Sequence, residues 1–309
     1  MHDVASKQIP QIADQISFDQ HGALKAKRHI PWSQLTFAVI TVAIILWLIS
    51  VFAFAPTIRW SVFAEYLFHR EILQGALATL QLTAISVVIA FAIAVVLAFM
   101  RESSSGILRG ASAFYVWIFR AVPLLVQLIL WFNLALIFPE LGLRIPFTDI
   151  GVGWDTNSVI TPFMAAIFGL ALHEAAYMSE VVRGGILSVP RGQTEAALSI
   201  GMTRFQVMKT IVLPQATRVI IPPAANQVII LLKGSSVVSV IGGGDLLTNA
   251  QNIYSINYEV IPLLFVASFW YMVMIAFLSI LQSYLETWQQ RSVLTQRADQ
   301  LNAAQVSEM

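Results

Sequence analysis

Residues 194 to 214 read Thr194-Glu195-Ala196-Ala197-Leu198-Ser199-Ile200-Gly201, then Met202 to Thr210, then Ile211-Val212-Leu213-Pro214. Thr194 can cap a short helix, Glu195 suits its positive N-terminus, and the alanine pair favours helix while leaving a low-relief face. Gly201 is expected to end it. A second helical stretch is expected from Thr203, with Phe205, Met208, Ile211 and Val212 on one face, Arg204 and Lys209 off it, and Pro214 as its stop. Such an apolar face on a connecting loop needs something to pack against.

The chain on either side of this loop is built for lipid. Hydrophobic residues make up 57% of the 309, charged residues 11%, and the mean hydropathy is +0.74. Soluble proteins hold about 25% charged residues and have too little polar surface to spare for such a composition. Apolar runs at 35–55, 72–100, 112–137, 159–182, 217–241 and 260–285 approach or exceed the roughly 20 residues that cross a bilayer. Each is expected to be helical, because a segment in hydrocarbon must satisfy its backbone groups internally. Trp32 and Trp60 bracket the first run, Tyr254 and Tyr258 precede the last, and Tyr284 and Trp288 close it, as in interfacial aromatic belts. Ala53-Phe54-Ala55 resembles a signal-peptidase site, but the long polar lead, the length of the run and Pro56 directly after it argue for a retained first helix. With no Cys, disulfide and thiolate chemistry are excluded.

The basic residues divide unevenly between the connections. Lys7, Lys25, Lys27 and Arg28 lie in the N-terminal segment, Arg101 and Arg109 after the second run, Arg183, Arg191, Arg204, Lys209 and Arg218 around the opening loop, and Arg291 and Arg297 after the last run. The opposite side has Arg59, Arg70 and Arg144. Thirteen against three predicts that both termini and the 183–216 loop are cytoplasmic.

The spacing Glu-Ala-Ala, three residues, Gly, nine residues, then Ile-x-Leu-Pro resembles the signature loop of the permease subunits of ABC importers. The resemblance implies that Glu195, Ala196, Ala197, Gly201, Phe205, Ile211, Leu213 and Pro214 form a coupling element seated in a groove of an ATPase subunit. Further stretches resemble the polar amino acid branch (histidine, glutamine, arginine, glutamate): Gly75-Ala76-Leu77-Ala78-Thr79-Leu80-Gln81-Leu82, Phe119-Arg120-Ala121-Val122-Pro123-Leu124-Leu125-Val126-Gln127, and Ala176-Tyr177-Met178-Ser179-Glu180-Val181-Val182-Arg183-Gly184-Gly185-Ile186. The extra first helix departs from the branch, as does Ala121-Val122 where Gly-Thr is frequent. The implied fold is an all-α membrane protein of six transmembrane helices, a five-helix type I permease core plus one N-terminal helix. Its expected parts are a cytoplasmic tail at 1–31, the extra helix at 32–58, the core at 72–286 with the coupling loop at 183–216, and a cytoplasmic tail at 287–309.

Ionisable groups within a span cost roughly 2.5 to 3.5 kcal/mol on insertion scales, so each asks for a partner or a function. Arg120, Glu174, Glu180 and Lys233 fall in spans, with His173 beside them. A zwitterionic substrate needs a cation for its carboxylate and an anion for its ammonium, which Arg120 or Lys233 with Glu174 would supply. Gln127, Tyr177, Asn226, Ser235 and Ser236 are further pathway candidates, whereas Glu180 and Arg183, spaced i, i+3, read as a structural ion pair. Breaks of the fifth span are expected at Pro222-Pro223 and Gly234-Ser235-Ser236, where a transporter exposes backbone to substrate or where small residues pack closely.

His173-Glu174-Ala175-Ala176-Tyr177 lacks the second histidine of a zinc protease, and no phosphate-binding Gly-rich loop ends in Gly-Lys-Ser/Thr. The chain is therefore expected to bind no metal or cofactor and to be no enzyme, with ATP and Mg on a partner ATPase. The implied partners are an ATPase dimer, a second permease that is identical or related, a soluble solute-binding protein outside the membrane, a polar amino acid and the inner-membrane bilayer, with no nucleic acid. A permease for another small polar solute (an opine, a quaternary amine, a sulfur compound) and an ion-gradient-driven secondary transporter are the alternatives.

Overall fold

The computed structural model describes residues 16–18, 24–26, 32–55, 58–144 and 151–307, and the chain divides into two units, Met1–Ile58 and Arg59–Met309. Of the residues named above, Lys7, Lys27, Arg28 and Pro56 lie outside the described ones, as do the side chains of Lys25, Arg144, Trp288, Arg291 and Arg297. In the first unit β1 (Ile16–Phe18) pairs antiparallel with β2 (Leu24–Ala26), a pairing not anticipated in so polar a segment. Helix α1 (Trp32–Ala53) follows, and its spanning stretch Gln34–Ala53 is apolar on every side with none of it buried. A helix of that pattern is suited to a membrane span.

The second unit holds α2 (Trp60–Tyr66), α3 (Arg70–Arg101), α4 (Gly106–Ala121), α5 (Leu124–Phe132), a 3-10 turn (Leu134–Leu136), the hairpin β3 (Glu140–Arg144) and β4 (Gly151–Asp155), and α6 (Thr156–Val159). Then come α7 (Pro162–Leu187), α8 (Arg191–Ser199), α9 (Arg204–Val207), a π turn (Met208–Val212), α10 (Leu213–Gly234), a 3-10 helix (Ser235–Ile241), α11 (Leu246–Asn257) and α12 (Val260–Ser307). Among the described residues four helical stretches are long and apolar enough to cross a membrane: Gln34–Ala53, Arg70–Arg101, Arg204–Ile241 and Val260–Thr287. The bent pair α4–α5 makes a fifth. The sixth expected span is α7, whose 26 residues reach across a bilayer although its polar residues lower its hydropathy.

Helix α3 buries one stripe at intervals of three and four residues: Ile72, Ala76, Thr79, Leu82, Thr83, Ser86, Ala90, Ala94 and Leu97. Most of these are small. Helix α7, which packs along α3, buries Ala165, Ala166, Leu170, Ala171, Ala175 and Ala176, mostly small residues of the kind that let helices associate closely where lipid removes the hydrophobic drive. Gly169 and Gly185 extend the principle to other neighbours. A Cβ on Gly169 would sit 2.5 Å from Leu128 Cδ2 of α5, and one on Gly185 would sit 2.3 Å from Ile220 Cγ1 of α10.

Several sequence expectations change. The span at 112–137 is not one helix: α4 and α5 meet at 99° across Val122-Pro123, because Pro123 has neither an N–H to continue α4 nor room for a helical residue before it. Conversely, Pro222 and Pro223 lie within α10 without ending it, since neighbouring groups in a bundle tolerate the lost bonds. The break after Gly234 is a change from α to 3-10 winding, not an unwound segment. Past the last span, the segment expected as a tail continues α12 to Ser307.

Candidate functional site

The 191–214 loop folds into a knuckle of two short helices. Helix α8 starts earlier than expected: Pro190, not Thr194, is its N-cap residue, and Thr194 sits inside it. Its end is built on Gly201, whose φ of +87° lies in the left-handed region. Met202 N–H donates to Ala197 O at 3.2 Å and Gly201 N–H to Leu198 O at 3.0 Å, the paired bonds of a Schellman motif. Thr203 then opens α9 through a reciprocal capping box: its N–H donates to Gln206 Oε1 at 2.8 Å and its Oγ1 accepts from Gln206 N–H at 3.3 Å.

Pro214 does not stop this second stretch. It lies in the first turn of α10, and the winding passes through the π turn directly into the membrane helix. The π turn also corrects the expected apolar face. Its extra residue per turn places Val207 and Val212, five apart, in the core with Ala197, Val189, Val182, Ala98 and Ile220, while Phe205 is turned out. Phe205 is 75% exposed and Ile200 80%. Ile211 packs at the margin of that core, Leu213 is half-buried, and Glu195, Ala196 and Pro214 are exposed. A 380 Å³ cleft lined by Ile186, Val189, Leu198, Arg204, Val207 and Val212 runs beside the two helices.

Within the membrane-spanning helices the structure joins some candidates and separates others. The Arg120 guanidinium carbon lies 5.1 Å from the centre of the Tyr177 ring, a cation–π contact. One turn back on α7, the His173 ring centre is 5.1 Å from that of Tyr177, and His173 Nδ1 is 3.0 Å from Gln127 Nε2. Glu174 is 3% exposed with Oε1 unpartnered, and no ion pair joins it to Arg120 or Lys233. Arg120 reaches over Tyr177, and Lys233 and Asn226 are exposed on α10. Ser235 and Ser236 turn their hydroxyls onto Leu232 O and Lys233 O at 2.7 and 2.8 Å. Arg183 donates from Nε and Nη2 to Glu180 Oε2 at 3.1 and 2.7 Å and lies 4.0 Å from Glu102 at the end of α3.

Two features escaped the sequence reading. Tyr115 stacks on Phe119 at 4.4 Å and donates to Leu172 O at 2.9 Å, fastening α4 to α7. Asp245, fully buried, accepts from the N–H groups of Leu247 and Thr248 at 3.1 and 3.4 Å and from the Tyr271 hydroxyl at 3.3 Å. An Asp directly before a helical pattern is an N-cap signal, and it was legible beside the Gly242-Gly243-Gly244 turn. Among the described residues no group of three His, Asp or Glu side chains is placed to hold a metal ion.

A bundle of lipid-facing helices carrying an exposed, doubly capped knuckle defines a multi-pass membrane transport subunit. Residues 90–291 match the family described as "Binding-protein-dependent transport system inner membrane component", and the chain belongs to it. It is an ABC importer permease, and that class works in general with an ATPase and a substrate-binding protein. The arginine transport system permease protein ArgU of Corynebacterium glutamicum is 37% identical over 269 residues, covering 86% of this chain and 83% of the relative. The glutamate/aspartate import permease protein GltK of Escherichia coli O6:H1 is 36% identical over 218 residues, 70% of this chain and 92% of the relative. Among solved structures, "Crystal structure of an amino acid ABC transporter with histidines" matches at 32% identity and a TM-score of 0.62, over 72% of this chain and 96% of that one.

Proposed function

We propose that this permease carries polar amino acids inward through the inner membrane, with both termini cytoplasmic, and that its 191–214 knuckle takes the stroke of an ATPase dimer that binds the ATP and Mg. The observation that carries the coupling role is the outward pair Ile200 and Phe205, each held by a capped helix end on a buried apolar core. Large apolar side chains on a rigid polar loop are suited to insertion into a partner's groove. The names of the amino acid relatives support the substrate class. ATP-driven closure would draw the knuckles of two permease copies, identical or related, together, and this requires that the loop contact two ATPase states with different affinity. A soluble binding protein outside delivers the solute.

Along the path, Arg120 over Tyr177 offers a cation to a carboxylate, and Glu174, with an open acceptor, offers a site for an ammonium group. Lys233, Asn226 and Ser236 on the pore-forming run are further contacts. Reconstitution with the ATPase in vesicles tests the reading. ATP-dependent uptake of arginine, glutamate, glutamine or histidine supports it, and uptake driven by a proton or sodium gradient alone rejects it.

A further inference from the structure

Pro123 has no N–H, so the carbonyl of Phe119, four residues earlier, lacks the donor that a continuous helix provides. In hydrocarbon no water takes its place. Gln127 does: its Nε2 donates to Phe119 O at 3.0 Å and to Val122 O at 2.8 Å. The same nitrogen faces His173 Nδ1 of α7 at 3.0 Å. An amide nitrogen only donates, and the two carbonyls settle its orientation; the His173 ring also hydrogen-bonds the Phe119 backbone, so both side chains converge on the oxygen that Pro123 leaves without its donor. Gln127 is 4% exposed and its Oε1 has no partner, so only the donor half of the amide is engaged.

The two carbonyls held by Gln127 enclose Arg120, and His173 stands one turn from Tyr177 on the same stripe of α7. We infer that Gln127 and His173 form a clasp that stands in for the missing Pro123 N–H, holds the 99° break between α4 and α5, and so positions Arg120 over Tyr177. Gln127 is therefore a positioning residue and not a substrate contact. The effect on transport rests on the reading of Arg120 given above, whereas the clasp rests on the geometry of the break alone.

The chain has no Cys, so Trp117→Cys and Leu130→Cys, at exposed positions 64% and 55% accessible, can carry a spin-label pair across the break in the full permease co-purified with its ATPase in nanodiscs. Gln127→Met keeps the length and removes both donors. It is expected to move the label distance by about 5 Å, one helical turn. Arg120→Gln is expected to leave that distance unchanged. Gln127→Asn, one methylene short, serves where the Met variant fails to insert and should shift the distance in the same direction. In substrate-stimulated ATPase, Arg120→Gln and Gln127→Met should each lose about tenfold, and the double variant no more than about twofold beyond either, the non-additivity of residues acting as one unit. A distance unmoved by both Gln127 variants, or losses that multiply, overturns the clasp as a positioning device. If Arg120→Gln retains full activity while Gln127→Met moves the labels, the clasp stands and the assignment of Arg120 to the path falls.

Discussion

The hydroxyl of Thr79, on α3, accepts a hydrogen bond from the N–H of Leu246, the first residue of α11, at 2.9 Å. Both residues are fully buried, and Gly75, one turn before Thr79, would bring a Cβ within 2.9 Å of Leu246 Cα. Helix α11 is therefore pinned to α3 at its N-terminus, where Asp245 gathers the remaining donors and ties the junction to Tyr271 of α12.

Replacing Asp245 with Asn turns one accepting oxygen into a donor that faces other donors. A loss of about 1 to 3 kcal/mol is expected, the cost of an unsatisfied buried polar group, read as a lower thermal midpoint of the purified chain. The pH dependence follows from burial, which raises the Asp245 carboxyl above its ordinary 3.8 against the lowering effect of the Thr248 and Leu247 donors. For an acid raised in the fold, the linked stability is present below 3.8 and is lost as pH climbs through the raised value. The midpoint should fall with rising pH across that window, and the Asn variant should lack this component.

Gly201→Asp combines a side chain at a φ of +87° with a charge on the knuckle. The strain is expected to cost about 1 to 2 kcal/mol, not enough to prevent insertion of the bundle. Substrate-stimulated ATPase should nevertheless be lost. Normal uptake by this variant would remove the coupling role.

Phe205 and Val207, two residues apart, should behave oppositely. Phe205→Glu, at a side chain that touches no core, should leave the thermal midpoint nearly unchanged and abolish co-purification with the ATPase. Val207→Ala, at a position 2% exposed, should lower stability by about 2 kcal/mol and keep the partner bound. Phe205→Glu with an intact complex would show that this face is not the docking surface.

The adjacent glycines of α7 offer an internal control. Nothing lies within 4 Å of a Cβ on Gly184, so Gly184→Ala should be neutral or stabilising by up to about 1 kcal/mol through helix propensity. Gly185→Ala drives a methyl into Ile220 Cγ1 and Ala216 O and should destabilise by about 1 to 3 kcal/mol, measured as thermal unfolding in detergent.

Hydropathy was enough, without coordinates, to locate most of the lipid-crossing runs, because transfer into hydrocarbon acts on each segment by itself. The same holds for Gly201 as a helix terminator, since that end involves only neighbours in the chain, whereas the cap expected at Thr194 falls at Pro190. Packing decided the rest. Whether Phe205 or Val207 faced inward depended on a π turn that no local pattern announces, and whether a proline bent its helix depended on what replaced its N–H. Pro123 bends, with Gln127 donating to the Phe119 and Val122 carbonyls at the break, whereas Pro222 and Pro223 ride within a continuous helix. Glu174 and Arg120 carry opposite charges suited to one solute, and only the tertiary structure shows Arg120 lying over Tyr177 while Glu174 is buried with an open acceptor.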